Sequence, residues 1–334
     1  GSEAEKLAQK KEAFNQLGQA GLAVGALAAA GVAVAVSKFA DFDQAISNVK
    51  AATQESAENM GLLRQAALDF GESSVFTATE SANAIEELGK AGLSTADILS
   101  GGLKGSLDLA SAGQLGIARA AEIAATTLSQ FGLEGEDAAR VADVLAAGAG
   151  KALGSVDDLA NGLKFVGPVA AAMGISLEET TGVLALFAQQ GIIGEQAGTS
   201  LRGMLSSLTS PSKIAQKEIE RLGISLYDSQ GGFLGLENAA GQLEGAYAGM
   251  TDEQRNFSLG LLFGNEQITG ARVLLDAGAE GVAEWTDAVD DAGYASQVAA
   301  DRLDNLKGDF EQLGGSIETA LIQSGSAGND VLRA

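Results

Sequence analysis

MGISLEETTGVLALF, residues Met173–Phe187, decides how this chain is read. A glycine follows an apolar run, an aliphatic residue follows the glycine, and a serine with an acid three residues on opens the next apolar stretch. Glycine just past a helix adopts the left-handed conformation without a Cβ penalty, so it ends a helix at low cost. Ser176 and Glu179 have the spacing at which a hydroxyl and a carboxylate satisfy the orphan backbone donors of a new helix. The segment therefore predicts helix, stop, turn and restart.

The same event occurs twice upstream, in AGLSTADI from Ala91 and FGLEGEDAARVADVLA from Phe131. This places hinge glycines at Gly92, Gly132 and Gly174, separated by 40 and 42 residues (132 − 92 and 174 − 132). Cap spacing recurs at Thr77 with Glu80, Ser94 with Asp97, Ser155 with Asp158 and Thr251 with Gln254. Between the caps, Met60, Leu63, Ala67 and Phe70 share a helical face, as do Ala82, Ile85 and Leu88, and Val183, Leu186 and Phe187. These stripes read as core. The fold class is all-α: short amphipathic helices and helical hairpins with glycine hinges.

Beyond Leu205 the pattern changes. Pro211 marks a break before a helix over about Ile214 to Leu222. Then GISLYDSQGGFLGL alternates at Ile224 and Leu226, turns through Asp228 to Gly232 and resumes at Phe233, which predicts one small β-hairpin near 223–236. Helices return from Thr251, ending in a stretch over about Asp301 to Ile322 with Leu303, Leu306, Phe310 and Leu313 along one side. The expected organisation is an N-terminal helix over 1–38, a helical core over 39–210, a linker with the hairpin over 211–250 and a helical region over 251–334.

Composition excludes much chemistry. Among 334 residues there is no histidine and no cysteine, so Ser-His-Asp and Cys-His systems and His- or Cys-ligated zinc are ruled out. The absence of cysteine also leaves the redox compartment unread. Acidic pairs remain at Glu86–Glu87, Asp157–Asp158 and Glu178–Glu179. Adjacent helical residues point about 100° apart, so these read as solvated faces and helix-start charges, not an acid/base couple. AAGAGKALGS around Lys151 fails the phosphate-loop pattern at Leu145 and Ala152 and the dinucleotide pattern at Leu153, and reads as an inter-helix loop. No catalytic, cofactor-binding or metal site is expected, and the chain reads as a non-enzyme.

A net charge of −23 with no basic run argues against gripping a phosphate backbone. It suits a surface past which DNA moves without sticking, and equally it serves solubility. Aromatic residues make up only 5% of the chain while glycine reaches 45 residues, so helices lined by small side chains gain less per contact than Leu-rich ones. Modest stability, or dependence on oligomer partners, is the expectation.

No charge occurs from Ala13 to Ser37, and Ala20 to Val36 is apolar throughout. As a helix its 17 residues extend about 26 Å, slightly less than a bilayer core of about 30 Å. A secretory signal is disfavoured by the late start of the run and the lack of a clear cleavage site. Two readings stay open: a helix packed in a protein interior, and a conditional membrane segment marked by Ala20, Gly21, Gly25, Ala28 and Val36, with Gly21 and Gly25 at small-xxx-small spacing.

FDQAISNVKAATQES, FTATESANAIEELGKAGLS, the segment Val141 to Ala147, and GISLEETTGVLALFAQQGIIGEQAGTSLRGMLSSLTSP together resemble the core region of phage tail tape measure proteins. LGISLYDSQGGF and LLFGNEQITGARVLL are similar to the region C-terminal to that core in the family, so the resemblance runs from about Phe39 to Gly278. Its most specific part is Gly191 to Leu201, where a glycine-bounded loop leads into Ala197, Gly198, Thr199, Ser200 and Leu201. Gln54 stands where the family often has glycine. The chain is shorter than such proteins and lacks an initial methionine, which points to a fragment or processed form.

The resemblance implies a structural virion protein inside the tail tube or at the tail tip. Such a protein acts in tail assembly, length determination and DNA ejection, and for some members forms a channel through the host envelope. Implied partners are further copies of itself, as a trimer or hexamer, the tail tube and tail tip or baseplate proteins, viral DNA passing without specific binding, and the host membrane; no cofactor is implied. Rival readings from the residues are a helical-repeat binding scaffold, favoured by the hinge spacing, and a pore-forming membrane protein of non-virion origin.

Overall fold

The computed structural model describes residues 34–304 and 306–326. It confirms the all-α class: among the described residues there is no strand, and helices succeed one another with short connections. The chain separates into two compact units, one formed by residues up to 82 together with those from 307, the other by 83–306.

The first unit contains helix α1 (34–53), α2 (Ala57–Ser73), the start of α3 (Ala78–Lys90) and most of α16 (Leu306–Ser326). Its core includes Phe39, Phe42, Val49, Met60, Leu63, Ala67 and Ile322. The Arg64 guanidinium lies 4.9 Å from the centre of the Phe42 ring. Buried Glu318 accepts from the Lys38 ammonium at 2.8 Å and the Thr79 hydroxyl at 3.0 Å, so its charge is paired where water is scarce. The C-terminal stretch read as one helix is two, α15 (Tyr294–Leu303) and α16, and Leu313 is 54% exposed.

The second unit is an array. After α3 the chain passes through the short turn α4 (Thr95–Asp97) and the wide turn Ile98–Gly102 into α5 (Leu103–Gly113). Next come α6 (Ile117–Phe131), α7 (Ala138–Lys151), α8 (Val156–Ala172), α9 (Leu177–Gln189) and α10 (Gly194–Thr209). Helices α6, α8 and α10 pack in sequence as one layer, and α5, α7 and α9 as a second. The chain continues through α11 (Lys213–Leu222), α12 (Leu236–Tyr247) and α13 (Asp252–Phe263), then returns across the second layer: α14 (Ile268–Val289) lies on α7 and α9, and α15 lies on α5 and α7. This return explains why every residue from Thr180 to Ala188 is buried, beyond the single stripe expected of an amphipathic helix.

Six helix ends close with the same paired bonds, in which the residue after the left-handed position donates to the carbonyl five residues back. Leu93, Leu115, Leu133, Ile175, Ile192 and Ile224 donate to the carbonyls of Leu88, Ala110, Leu128, Ala170, Phe187 and Ile219 at 2.9–3.2 Å. Five of these turns use glycine in the left-handed position; the sixth uses Gln114, at φ +53°. Gln54, after α1, has the same φ. Both glutamines carry a Cβ penalty that glycine avoids. Gln54→Gly and Gln114→Gly are each expected to raise unfolding free energy by about 0.5–1 kcal/mol, read as a higher urea midpoint at unchanged slope.

The predicted β-hairpin near 223–236 is not formed. Tyr227 and Phe233 make a single isolated antiparallel bridge around a turn in which the Asp228 carboxylate accepts from Gln230 and Gly232, each at 2.8 Å. The ladder goes no further because the Gln242 side chain takes both backbone groups of Ser225, accepting its N–H at 2.7 Å and donating to its carbonyl at 2.6 Å. The alternation at Ile224 and Leu226 thus belongs to a loop pinned to α12.

Candidate functional site

The glycines read as hinges lie at turns between helices of the array. Gly92, Gly132 and Gly174 have φ of +92°, +63° and +77°, and a Cβ at any of them would meet nothing within 4 Å. What these positions demand is the left-handed backbone alone.

The cap spacings act as read, with one exception. Thr77, Ser94, Ser155 and Thr251 each accept from the N–H three residues on while the partner side chain accepts from the cap's own N–H. Ser176 accepts from Glu179 N–H at 3.0 Å, but the Glu179 carboxylate turns away. Its Oε1 takes the N–H groups of Leu236 and Glu237, at 2.6 and 3.0 Å, and so caps α12 from 57 residues away.

Between successive hairpins runs a set of contacts in one register. Asp97 Oδ1 accepts from Gly135 N–H at 3.2 Å, Arg119 Nε donates to Asp157 at 2.8 Å, Arg140 grips Glu178 through Nε and Nη2 at 2.6 and 2.9 Å, and Gln189 donates to the Lys151 carbonyl at 3.3 Å. Each pair is separated by 38 residues. The hairpins therefore stack as a structural repeat, and polar side chains fix its step.

The acidic pairs do not form an acid/base couple. Glu86 and Glu87 share Lys90, Asp158 closes its own cap on Ser155, and Asp157 and Glu178 reach back to the preceding hairpin. Glu178 is nonetheless no solvated face: only 7% exposed, it is held by a bidentate guanidinium, without which its charge would be buried unpaired. The Glu178 hydrogen bond in turn raises the Arg140 pKa. The Ser94 hydroxyl, then the N–H groups of Gly135 and Ser94, hold the Asp97 carboxyl below its ordinary value of 3.8.

A depressed carboxyl stabilises the fold above its unfolded pKa, and that contribution disappears as pH falls through the folded value. The array is therefore expected to lose stability below about pH 4, and Asp97→Asn to flatten that acid limb in urea unfolding at stepped pH.

Lys151, read with its flanking glycines as a loop, ends α7. It donates to Asp291 at 2.6 Å and to the Ala288 carbonyl at 2.7 Å, and it lies over the Tyr294 ring. Nearby, Asp143 accepts from Gly293 and Ala295 N–H at 2.8 and 2.9 Å, capping α15. Sequence reasoning missed Asp143, Arg119 and Arg140 because their partners lie outside any local window. For Arg119 and Arg140 the one signal was the hinge spacing of 40 and 42 residues, close to their 38-residue step; Asp143, whose partners lie 150 and 152 residues on, had none.

Helices also meet at glycines. Gly162 of α8 and Gly198 of α10 cross so closely that a Cβ on Gly198 would lie 2.1 Å from the Gly162 carbonyl oxygen. Gly198 belongs to the Ala197–Leu201 stretch singled out in the sequence, where Ala197, Ser200 and Leu201 are also buried.

Residues 64–264 match the phage-related minor tail protein family. The chain is 37% identical over 330 residues to the tape measure protein of Pneumococcus phage Dp-1, covering 96% of this chain and 29% of that protein. The chain belongs to the phage minor tail, or tape measure, family. It is also 28% identical over 313 residues to the probable tape measure protein of Escherichia phage P2, covering 90% of this chain and 38% of the relative. The chain thus spans about a third of the length of these curated relatives. No solved structure matches it.

Of the proposed membrane segment, Ala20, Gly21, Gly25 and Ala28 lie outside the described residues; Val36 is half-buried in α1. Among the described residues no helix is long and apolar enough to cross a membrane, and no group of carboxylates could hold a metal ion.

Proposed function

We propose that this chain is a structural, non-enzymatic module of a phage tail, located in the tube lumen or at the tip and belonging to a longer protein that sets tail length. Family membership supports the tail role. The observation that carries the rest is the folded array. A ruler gains about 1.5 Å per residue only as continuous helix, whereas α14, the longest helix whose bounds are fully described, has 22 residues and is broken at Gly278. Hairpins stacked in a 38-residue register consume chain without adding proportionate length.

The module accordingly serves assembly, release and DNA passage, changing shape at Gly92, Gly132 and Gly174. Its acidic balance lets DNA pass without adhering. Three- or six-fold copies and contacts with tube and tip proteins suit confinement in a symmetric tube. A channel through the host membrane would rest on Ala20 to Val36 and is tested by whether a peptide of that segment permeabilises liposomes. The stacked hairpins also favour a helical-repeat scaffold as the architecture on which this role is built. Mass spectrometry of purified tails should find the chain's peptides at a stoichiometric level; tails without them would refute the assignment.

A further inference from the structure

Helices α12 and α15 begin at glycines, Gly235 and Gly293, with no capping side chain of their own. Each borrows one from the array: Glu179 of α9 accepts from Leu236 and Glu237, and Asp143 of α7 accepts from Gly293 and Ala295. By contrast α4, α8 and α9 carry serine caps, and the turns between hairpins close on their own backbone. Array helices α6 and α10 begin at Gly116 and Ile193 with no side-chain cap to lose, whereas α12 and α15 have capped N-termini only when docked.

Between them, α14 is interrupted at Gly278, whose φ of +62° and ψ of −166° suit glycine almost alone. The end of α14 is tied to α7 by Lys151, through the Ala288 carbonyl and Asp291. The surfaces beneath are small: Gly148 of α7 faces Val289, and Gly182 of α9 meets the backbone of Trp285 and Thr286.

We propose that residues 236–303 form a releasable layer, latched to the hairpin array by Glu179 and Asp143, whose opening uncovers the small, apolar face of α7 and α9. This goes beyond a tail role for the chain and stands whether or not the chain sets length. Docking and helix formation are coupled in this layer, so it opens before the array does.

Hydrogen exchange on the purified chain tests it. In the unaltered chain, amides of α12 and α15 should exchange faster than those of α7 and α9. Glu179→Ala should accelerate residues 240–247, and Asp143→Ala residues 298–303, by roughly tenfold each, the usual effect of losing an N-cap, with 142–148 and 181–187 unchanged. Glu179→Gln and Asp143→Asn, which keep shape and an acceptor, should show smaller accelerations in the same helices and guard against misfolding of the alanine variants. Equal acceleration across α7 and α9, or none in the helix whose cap was removed, would overturn the latch.

Discussion

Gly198→Ala is expected to cost about 3 kcal/mol of unfolding free energy, the upper end of what one added methyl costs in a packed interior. The new Cβ would lie 2.1 Å from the Gly162 carbonyl oxygen and 2.8 Å from its carbonyl carbon and Cα. These are backbone atoms of a neighbouring helix, so no side chain can rotate out of the way; α8 and α10 would have to separate. Two controls isolate the cause. At Gly203, further along α10, the nearest atoms belong to the flexible end of Gln267, so alanine there should cost less. At Gly61, inside α2, nothing lies within 4 Å, and alanine should stabilise by about 0.5–1 kcal/mol through helix propensity. A urea midpoint for Gly198→Ala no lower than that for Gly203→Ala would show that α8 and α10 can part at this crossing at little cost.

The second large effect is expected at the pair between α7 and α9. Arg140→Ala leaves the buried Glu178 side chain without its bidentate partner at the start of a helix. Breaking a fully buried pair costs about 3–5 kcal/mol, and the 44% exposure of Arg140 reduces the expectation to about 2 kcal/mol. Arg119→Ala removes the neighbouring contact in the same register, but Arg119 and Asp157 are 36% and 42% exposed, so about 0.5 kcal/mol is expected there. Replacing Arg140 and Glu178 together by leucine should recover most of the loss, because no uncompensated charge remains. Equal effects of Arg119→Ala and Arg140→Ala in urea unfolding would mean that burial does not set the strength of these contacts.

The sequence is most legible where structure is decided within a few residues. Glycine, aliphatic residue, hydroxyl and acid act through backbone groups three to six positions away, so the helix ends at Gly92, Gly132 and Gly174 and the caps at Ser94 and Ser155 can be read from spacing. Gln54, noted where the family often has glycine, does take the left-handed conformation.

Legibility fails where a local rule has a distant competitor. The Glu179 carboxylate has the right spacing to close the Ser176 box and instead caps α12; Gln242 takes the backbone groups that a β-ladder at Ser225 would need. The repeat shows in the sequence only as hinge spacings of 40 and 42 residues, near the 38-residue register, because the residues that carry it differ at each step: Asp97 with a backbone N–H, Arg119 with Asp157, Arg140 with Glu178. Self-similarity in backbone geometry does not require self-similarity in side chains.

The central claim is that the hairpin array is a packed module and not a measuring rod. Deleting one register step, residues 117–154, in the phage that encodes this chain, and measuring tails by electron microscopy, tests it most directly. Tails that assemble should keep their length. Uniform shortening by about 57 Å, which is 38 residues at 1.5 Å each, would contradict it.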